Sequence, residues 1–248
     1  MATYEVTLKD LRQAKACITG YNKVVCSLQG QPFTDEHRDM KSYIRFAYKE
    51  PISLSFILEN NGLDDALWAL HCIKGAARDI RLFSVWCARQ VQHLMRDSRS
   101  TNALDVAELF ANGKATKEEL EAASVDARDA RDAASVAREV ADVASVNAWD
   151  ASAENAENAE NAASAANVAS VNTWAAWAAW AASAENAENA ARAARDAALA
   201  AWAASAASVE SAASVNSNAA WDAALAAQTE MFELMCDGKA PWQVSGLD

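Results

Sequence analysis

Between Gly113 and Gly238 the chain has neither glycine nor proline for 124 consecutive residues, and all 248 residues hold only 7 glycines and 3 prolines. That absence excludes a second half built of tight turns and short strands, because the residues that punctuate such folds are missing. Five cysteines, at 17, 26, 72, 87 and 236, form no CxxC and no regular ladder. Their spacing implies no disulfide framework and fits a reducing, cytoplasmic compartment. No run of about 18 strongly apolar residues occurs, and the opening MATYEVTLKDLRQAK lacks the apolar stretch of a secretory leader. Neither secretion nor a membrane span is expected.

Catalytic signatures are equally scarce. Of the three histidines, His37, His71 and His93, His71 adjoins Cys72 and His93 is six residues from Cys87, so neither pair has a good helical metal-ligand spacing, and there is no HExxH, no GxSxG and no glycine-rich phosphate loop. The sequence therefore predicts no enzyme, no metal and no cofactor. Asp97-Ser98-Arg99-Ser100 sits at a helix junction, where Arg99 either holds an anion or pairs with a nearby acid while Asp97 caps the helix.

Charge is divided unevenly along the chain. Residues 1–100 carry 14 Lys/Arg against 11 Asp/Glu, whereas 101–248 carry 8 against 23, so the net charge of −12 is concentrated in the second half. Such a surplus repels nucleic-acid phosphates and attracts a basic partner at long range, although acids also serve simply to keep an alanine-rich surface soluble. Direct nucleic-acid binding is not expected.

What fills the glycine-free tract is mainly alanine, the strongest helix former, with Glu, Arg and Leu close behind. As one rod it would be about 190 Å long, so it is expected to fold back. Candidate corners are a recurring Ser-Val-Asn/Asp at 124–126, 145–147, 170–172 and 214–216, where a β-branched residue precedes a capping one. The stretch SVNTWAAWAAWAASAENAEN (170–189) repeats SVNAWDASAENAEN (145–158) with six extra residues, which is two triplets. A three-residue step is 300° on a helix, so Trp174, Trp177 and Trp180 fan across about 120° instead of forming a narrow stripe. The tract reads as a length-tolerant array of antiparallel helices in which tryptophans fill gaps between alanine surfaces. Those surfaces also invite self-packing into a homo-oligomer.

The first part reads as shorter helices. Thr7-Leu-Lys-Asp10 opens one that runs to about Ile18, and Tyr21 to Leu28 forms a second. Asp35 to Tyr48 is expected as an amphipathic helix stopped by Pro51, and Leu54 to Leu58 as an apolar cluster closed by Asn60-Asn61-Gly62. Leu63 to Ile73, Ile80 to Met95 and Ala103 to Phe110 are apolar helices, and Thr116-Lys-Glu-Glu119 is a capping box that launches the alanine tract. The fold class is all-α, with a helical N-terminal domain over 1–113, an alanine-rich array over 114–237 packed on it, and a tail over 238–248.

The segments LDDALWALHCI (63–73), RLFSVWCARQVQHLM (81–95) and DSRSTNALDVAELFANGKATKEELEAA (97–123) resemble the alanine-rich immunity-protein (immunity-five-like) family of bacteria and tailed phages. The likeness rests on Trp68, Cys72, Trp86, Cys87-Ala88-Arg89, Asp97 to Ser100, Ala103, Ala107 and Gly113 to Glu119. It implies a protective protein that neutralises a toxin or, in a phage, a host defence component. A phage-encoded member would act in the host cytoplasm.

Three functions follow as expectations. An inhibitor would bind a basic toxin or defence enzyme through an acidic helical face made by Glu154, Glu157, Glu160, Glu185 and Glu188. A sponge would hold a signalling nucleotide, stacking its base on Trp174, Trp177 or Trp180 and binding its phosphates with Arg99, Arg192 or Arg195. A helical scaffold needs no ligand.

Overall fold

The computed structural model describes residues 4–151, 169, 173, 176–182, 193, 196–197, 199–200 and 213–244, and over these the chain is all-α with one short antiparallel strand pair. At the start, Thr7 caps α1 (Leu8–Gln13). Its hydroxyl accepts from Asp10 N at 3.2 Å while the Asp10 carboxylate accepts from Thr7 N at 2.9 Å, the reciprocal box anticipated from the sequence. α1 is shorter than expected and the chain turns into α2 (Ile18–Leu28), which begins where Cys17 Sγ accepts from Gly20 N at 3.2 Å. β1 (Glu5–Val6) pairs with β2 (Ile52–Ser53) in the register Glu5 to Ser53 and Val6 to Ile52.

The helix expected over 35–48 is confined to α3 (Asp35–Asp39), and the following residues run irregularly to β2. Tertiary hydrogen bonds account for the difference. Asn22, fully buried on α2, accepts from Ile44 N at 2.8 Å and donates to Ser42 O at 3.2 Å, and Tyr43 Oη donates to Ala16 O at 2.6 Å. These bonds replace the helical ladder that the local pattern favoured.

From β2 the chain enters α4 (Leu54–Asn61). Gly62, at φ 97°, ends it and starts α5 (Leu63–Ala69), a reversal that a side chain would strain. A 3-10 turn over 70–72, α6 (Ala77–Arg89), a second 3-10 turn over 92–94 and α7 (Ser98–Ala111) follow. α7 starts earlier than expected because Asp97 caps it, accepting from Arg99 N at 2.9 Å. α8 (Lys117–Ala151) opens on the Thr116/Glu119 box, with Thr116 N donating to Glu119 Oε2 at 2.7 Å. α9 (Ala213–Cys236) and α10 (Pro241–Val244) complete the described chain.

Two expected corners are not corners. α8 passes unbroken through 124–126 and 145–147 for 35 residues. Valine costs a helix only a few tenths of a kcal/mol relative to alanine, and packing on one side of α8 outweighs that. The motif at 170–172 lies outside the described residues, and the one at 214–216 lies in the first turn of α9.

α8 also carries a narrow seam that the triplet reading did not anticipate. Leu120, Ala123, Ala127, Ala130 and Ala134 are buried at alternating spacings of three and four, the period of two helices lying nearly parallel. Ala123 and Ala127 meet Ala103 of α7 and the Trp180 ring. Thr173 Oγ1 donates to the backbone carbonyl of Ala134 at 3.0 Å, an approach that only small contact residues permit. A larger apolar cluster joins Leu8, Phe83, Ala178, Ala197, Phe232 and Ala240, so parts of the alanine tract and of the C-terminal segment share a core with the first helices. Phe232 of α9 meets Phe83 of α6 edge to face, with centroids 6.0 Å apart.

Candidate functional site

Two features of the described surface have the chemistry of recognition: the outer face of α8, and a cavity between α2, α4 and α5. The seam of α8 directs its opposite side to solvent. There Glu118, Glu121, Asp129, Asp132 and Glu139 alternate with Val125, Val136, Val140 and Val143, all exposed and all within about 100° of helical arc. The valines are 54–64% exposed, unusual for side chains with no polar atom. From Glu118 to Val143 the stripe is about 40 Å long. Lys117 with Glu121, Arg131 with Asp132 and Arg138 with Asp142 are ion-paired, so Glu121 and Asp132 of the stripe each have a cation beside them, whereas Glu118, Asp129 and Glu139 lie in none of these three pairs.

The residues anticipated for an acidic face, Glu154, Glu157, Glu160, Glu185 and Glu188, lie outside the described residues, as do Trp174, Arg192 and Arg195. Trp177 and Trp180 are described, and their rings face α8. The Arg131 guanidinium lies 4.3 Å from the Trp180 centroid and 5.1 Å from that of Trp177, Arg128 lies 5.9 Å from Trp180, and Trp177 Nε1 donates to Ser135 Oγ at 3.3 Å. Arginines of α8 therefore occupy the ring faces on which a base was expected to stack. Arg99 is bound by Asp97, with Nε to Oδ1 at 3.0 Å and Nη2 to Oδ2 at 2.7 Å, and these bonds hold the Asp97 carboxyl below the usual carboxylate range.

The cavity, of about 270 Å³, was not read from the sequence. Its floor is apolar, with Leu11, Tyr21, Val24 and Ile57 all buried, and its mouth holds Cys17, Asp64, Asp65 and Trp68. The reversal at Gly62 positions the mouth, since it sets Asn61 at the end of α4 beside the first turn of α5. Asn61 Nδ2 donates to Gly20 O at 2.9 Å and to Asp65 Oδ2 at 2.7 Å. Lys23 Nζ caps the Asn61 carbonyl at 2.9 Å. The Asn60-Asn61-Gly62 turn followed by Asp64-Asp65 was a signal in the sequence, but it read there only as a helix boundary.

Among the described residues no group of three or more His, Cys, Asp or Glu could hold a metal ion, and no helix is long and apolar enough to cross a membrane. All five cysteines are free thiols. Burial pushes the Cys87 thiol far up, and burial together with Asp237 and Glu233 pushes that of Cys236 up to about 12, which makes both poor nucleophiles. Comparison with known proteins assigns no family: no family model matches the chain, and no curated protein or solved structure does.

Proposed function

We propose that the chain is a non-enzymatic immunity or anti-defence protein that acts in the cytoplasm by binding a basic protein, a toxin or a host defence enzyme, through an acidic helical surface. The outer face of α8 carries this reading. Carboxylates alternating with exposed valines along about 40 Å match a partner surface that is both basic and apolar, such as the amphipathic face of a cationic helix. The carboxylates steer the encounter, and burial of the valines holds the complex. The resemblance of residues 63–123 to immunity proteins points the same way.

The alternative of a nucleotide sponge rests on the tryptophans. It is the weaker reading, because Trp177 and Trp180 already stack on Arg131. A scaffold accounts for the alanine core but not for valines left in water.

Charge reversal tests the proposal. The full-length chain and a variant with Glu118→Lys, Asp129→Lys and Glu139→Lys are each mixed with lysate of the natural host, and retained proteins and extracted small molecules are both identified. A strongly basic protein retained by the natural chain, weakened at least about tenfold by the variant and released by moderate salt, is the expected result. Retention unaffected by the three substitutions would refute the role of α8, and recovery of a nucleotide without a protein would favour the sponge.

A further inference from the structure

The segment that joins α3 to β2 leaves most of its main chain without partners. Residues 43–49 run with no turn or bend, and their side chains come to alternate: Phe46 and Tyr48 are half-buried against the core, whereas Arg45, Ala47 and Lys49 are exposed. The Phe46 and Tyr48 rings stack on one side, with centroids 5.8 Å apart and 15° between their planes, which is the two-residue period of a β-strand. Yet among the described residues no hydrogen bond reaches the backbone of 45–50. The stretch is a strand in conformation without a sheet, and it leads through Glu50 and Pro51 into β2.

Asn22 decides which edge is open. Its amide binds Ser42 O and Ile44 N, and the backbone groups of successive residues face opposite edges of an extended chain. The N–H and C=O groups of Arg45, Ala47 and Lys49 therefore face away from Asn22. An unpaired edge of this kind is a template for another strand. Charge narrows what can add. Between Asp39 and Glu50 stand Lys41, Arg45 and Lys49 and no acid, a local excess opposite in sign to the net charge of −12. Arg45 and Lys49 lie in none of the ion pairs among the described residues. A second copy pairing antiparallel about Ala47 would set arginine opposite lysine twice, and like charges directly opposite are destabilising.

We propose that residues 45–49 are a β-addition site for an extended acidic peptide of another protein. The main chain of the peptide pairs with Arg45, Ala47 and Lys49, and two of its carboxylates, four residues apart, face the Arg45 and Lys49 side chains. The site is separate from the α8 stripe and takes a partner of opposite charge.

Synthetic peptides test this on the full-length protein. The probe is Thr-Glu-Val-Thr-Val-Glu-Thr, blocked at both ends and carrying a fluorophore. One control replaces both glutamates by lysine, and another replaces the central threonine by proline, which lacks the N–H that a ladder uses. Fluorescence anisotropy should show binding of the acidic peptide alone, and hydrogen exchange read by mass spectrometry should show the 45–49 amides slowed when it is bound. Arg45→Glu combined with Lys49→Glu should weaken the acidic peptide at least about tenfold and bring up binding of the lysine peptide, a reversal that a misfolded chain would not give. Ala47→Pro removes one N–H from the open edge and loses no hydrogen bond seen among the described residues, so it should weaken binding with little change in melting temperature.

No binding of the acidic peptide, equal binding of either control, or binding that leaves the 45–49 amides unprotected would overturn the proposal. So would protection of those amides that rises with protein concentration in the absence of peptide, since the occupant would then be a second copy of the chain.

Discussion

Asn22 has no exposed surface, and both ends of its amide go to the segment after α3, to Ser42 O and Ile44 N. Asn22→Ala should destabilise the protein by about 1–3 kcal/mol, because the Ile44 N–H loses its partner. Urea unfolding measures the loss, and limited proteolysis of the natural and altered chains should show new cleavage within 40–51. The buried acids of the core act at the other end of the pH scale. Burial raises Tyr4, Cys87 and Cys236 in the folded state, and the Asp79 carboxylate raises Tyr4 further. Groups raised in this way contribute stability that is complete below their unfolded values and is lost as pH rises toward the folded ones. Stability should therefore hold from pH 7 to about 8 and then fall toward pH 12, by up to about 1.4 kcal/mol per pH unit for each thiol, with the melting temperature falling in step. Cys236→Ala should make that fall shallower, as read by thermal unfolding across the range.

At the scale of elements, α8 separates what packing needs from what solvent meets. Its three reversed carboxylates are exposed, but Glu118 stands in the first turn of α8 and Asp129 acts on Arg99, so the charge-reversed variant should lose no more than about 2 kcal/mol of stability, even as its binding is lost. Much of this scale was legible in the sequence: the helical class, the capping boxes at Thr7 and Thr116, and the breaks at Gly62 and Gly113 all follow from local chemistry. The illegible parts depend on distant residues. The pattern of 35–48 is helical, yet Asn22, twenty or more residues away, claims the Ser42 and Ile44 backbone groups, and Ala16 O holds the Tyr43 hydroxyl. Ser-Val-Asp at 124–126 has the composition of a corner, but the alanines before and after it are held on α7. The cavity was hidden for the same reason, since Gly20, Asn61 and Asp65 form one site only through the reversal at Gly62.

Across the whole molecule, the last described residues fold back onto the first helices. Asp79 Oδ2 accepts from Tyr4 Oη at 2.9 Å and from Gln243 Nε2 at 2.8 Å, and the Trp242 carbonyl accepts from Arg78 at 3.2 and 3.3 Å. The α6 face is thus clasped from both directions. Ending the chain at Asp237 should cost about 2–4 kcal/mol, through these bonds and the exposure of Ala240, and should lower the calorimetric melting temperature.

The alanine seam of α8 behaves like a smooth rail. Methyl groups of equal size give neighbouring helices little to catch on along their length, so packing alone barely distinguishes one axial setting from the next. The hydroxyl of Thr173 on the Ala134 carbonyl and the Trp177 indole on Ser135 are the detents that select a setting. A chain built this way can gain or lose residues beyond the rail and still lock in the same place, provided those two contacts remain.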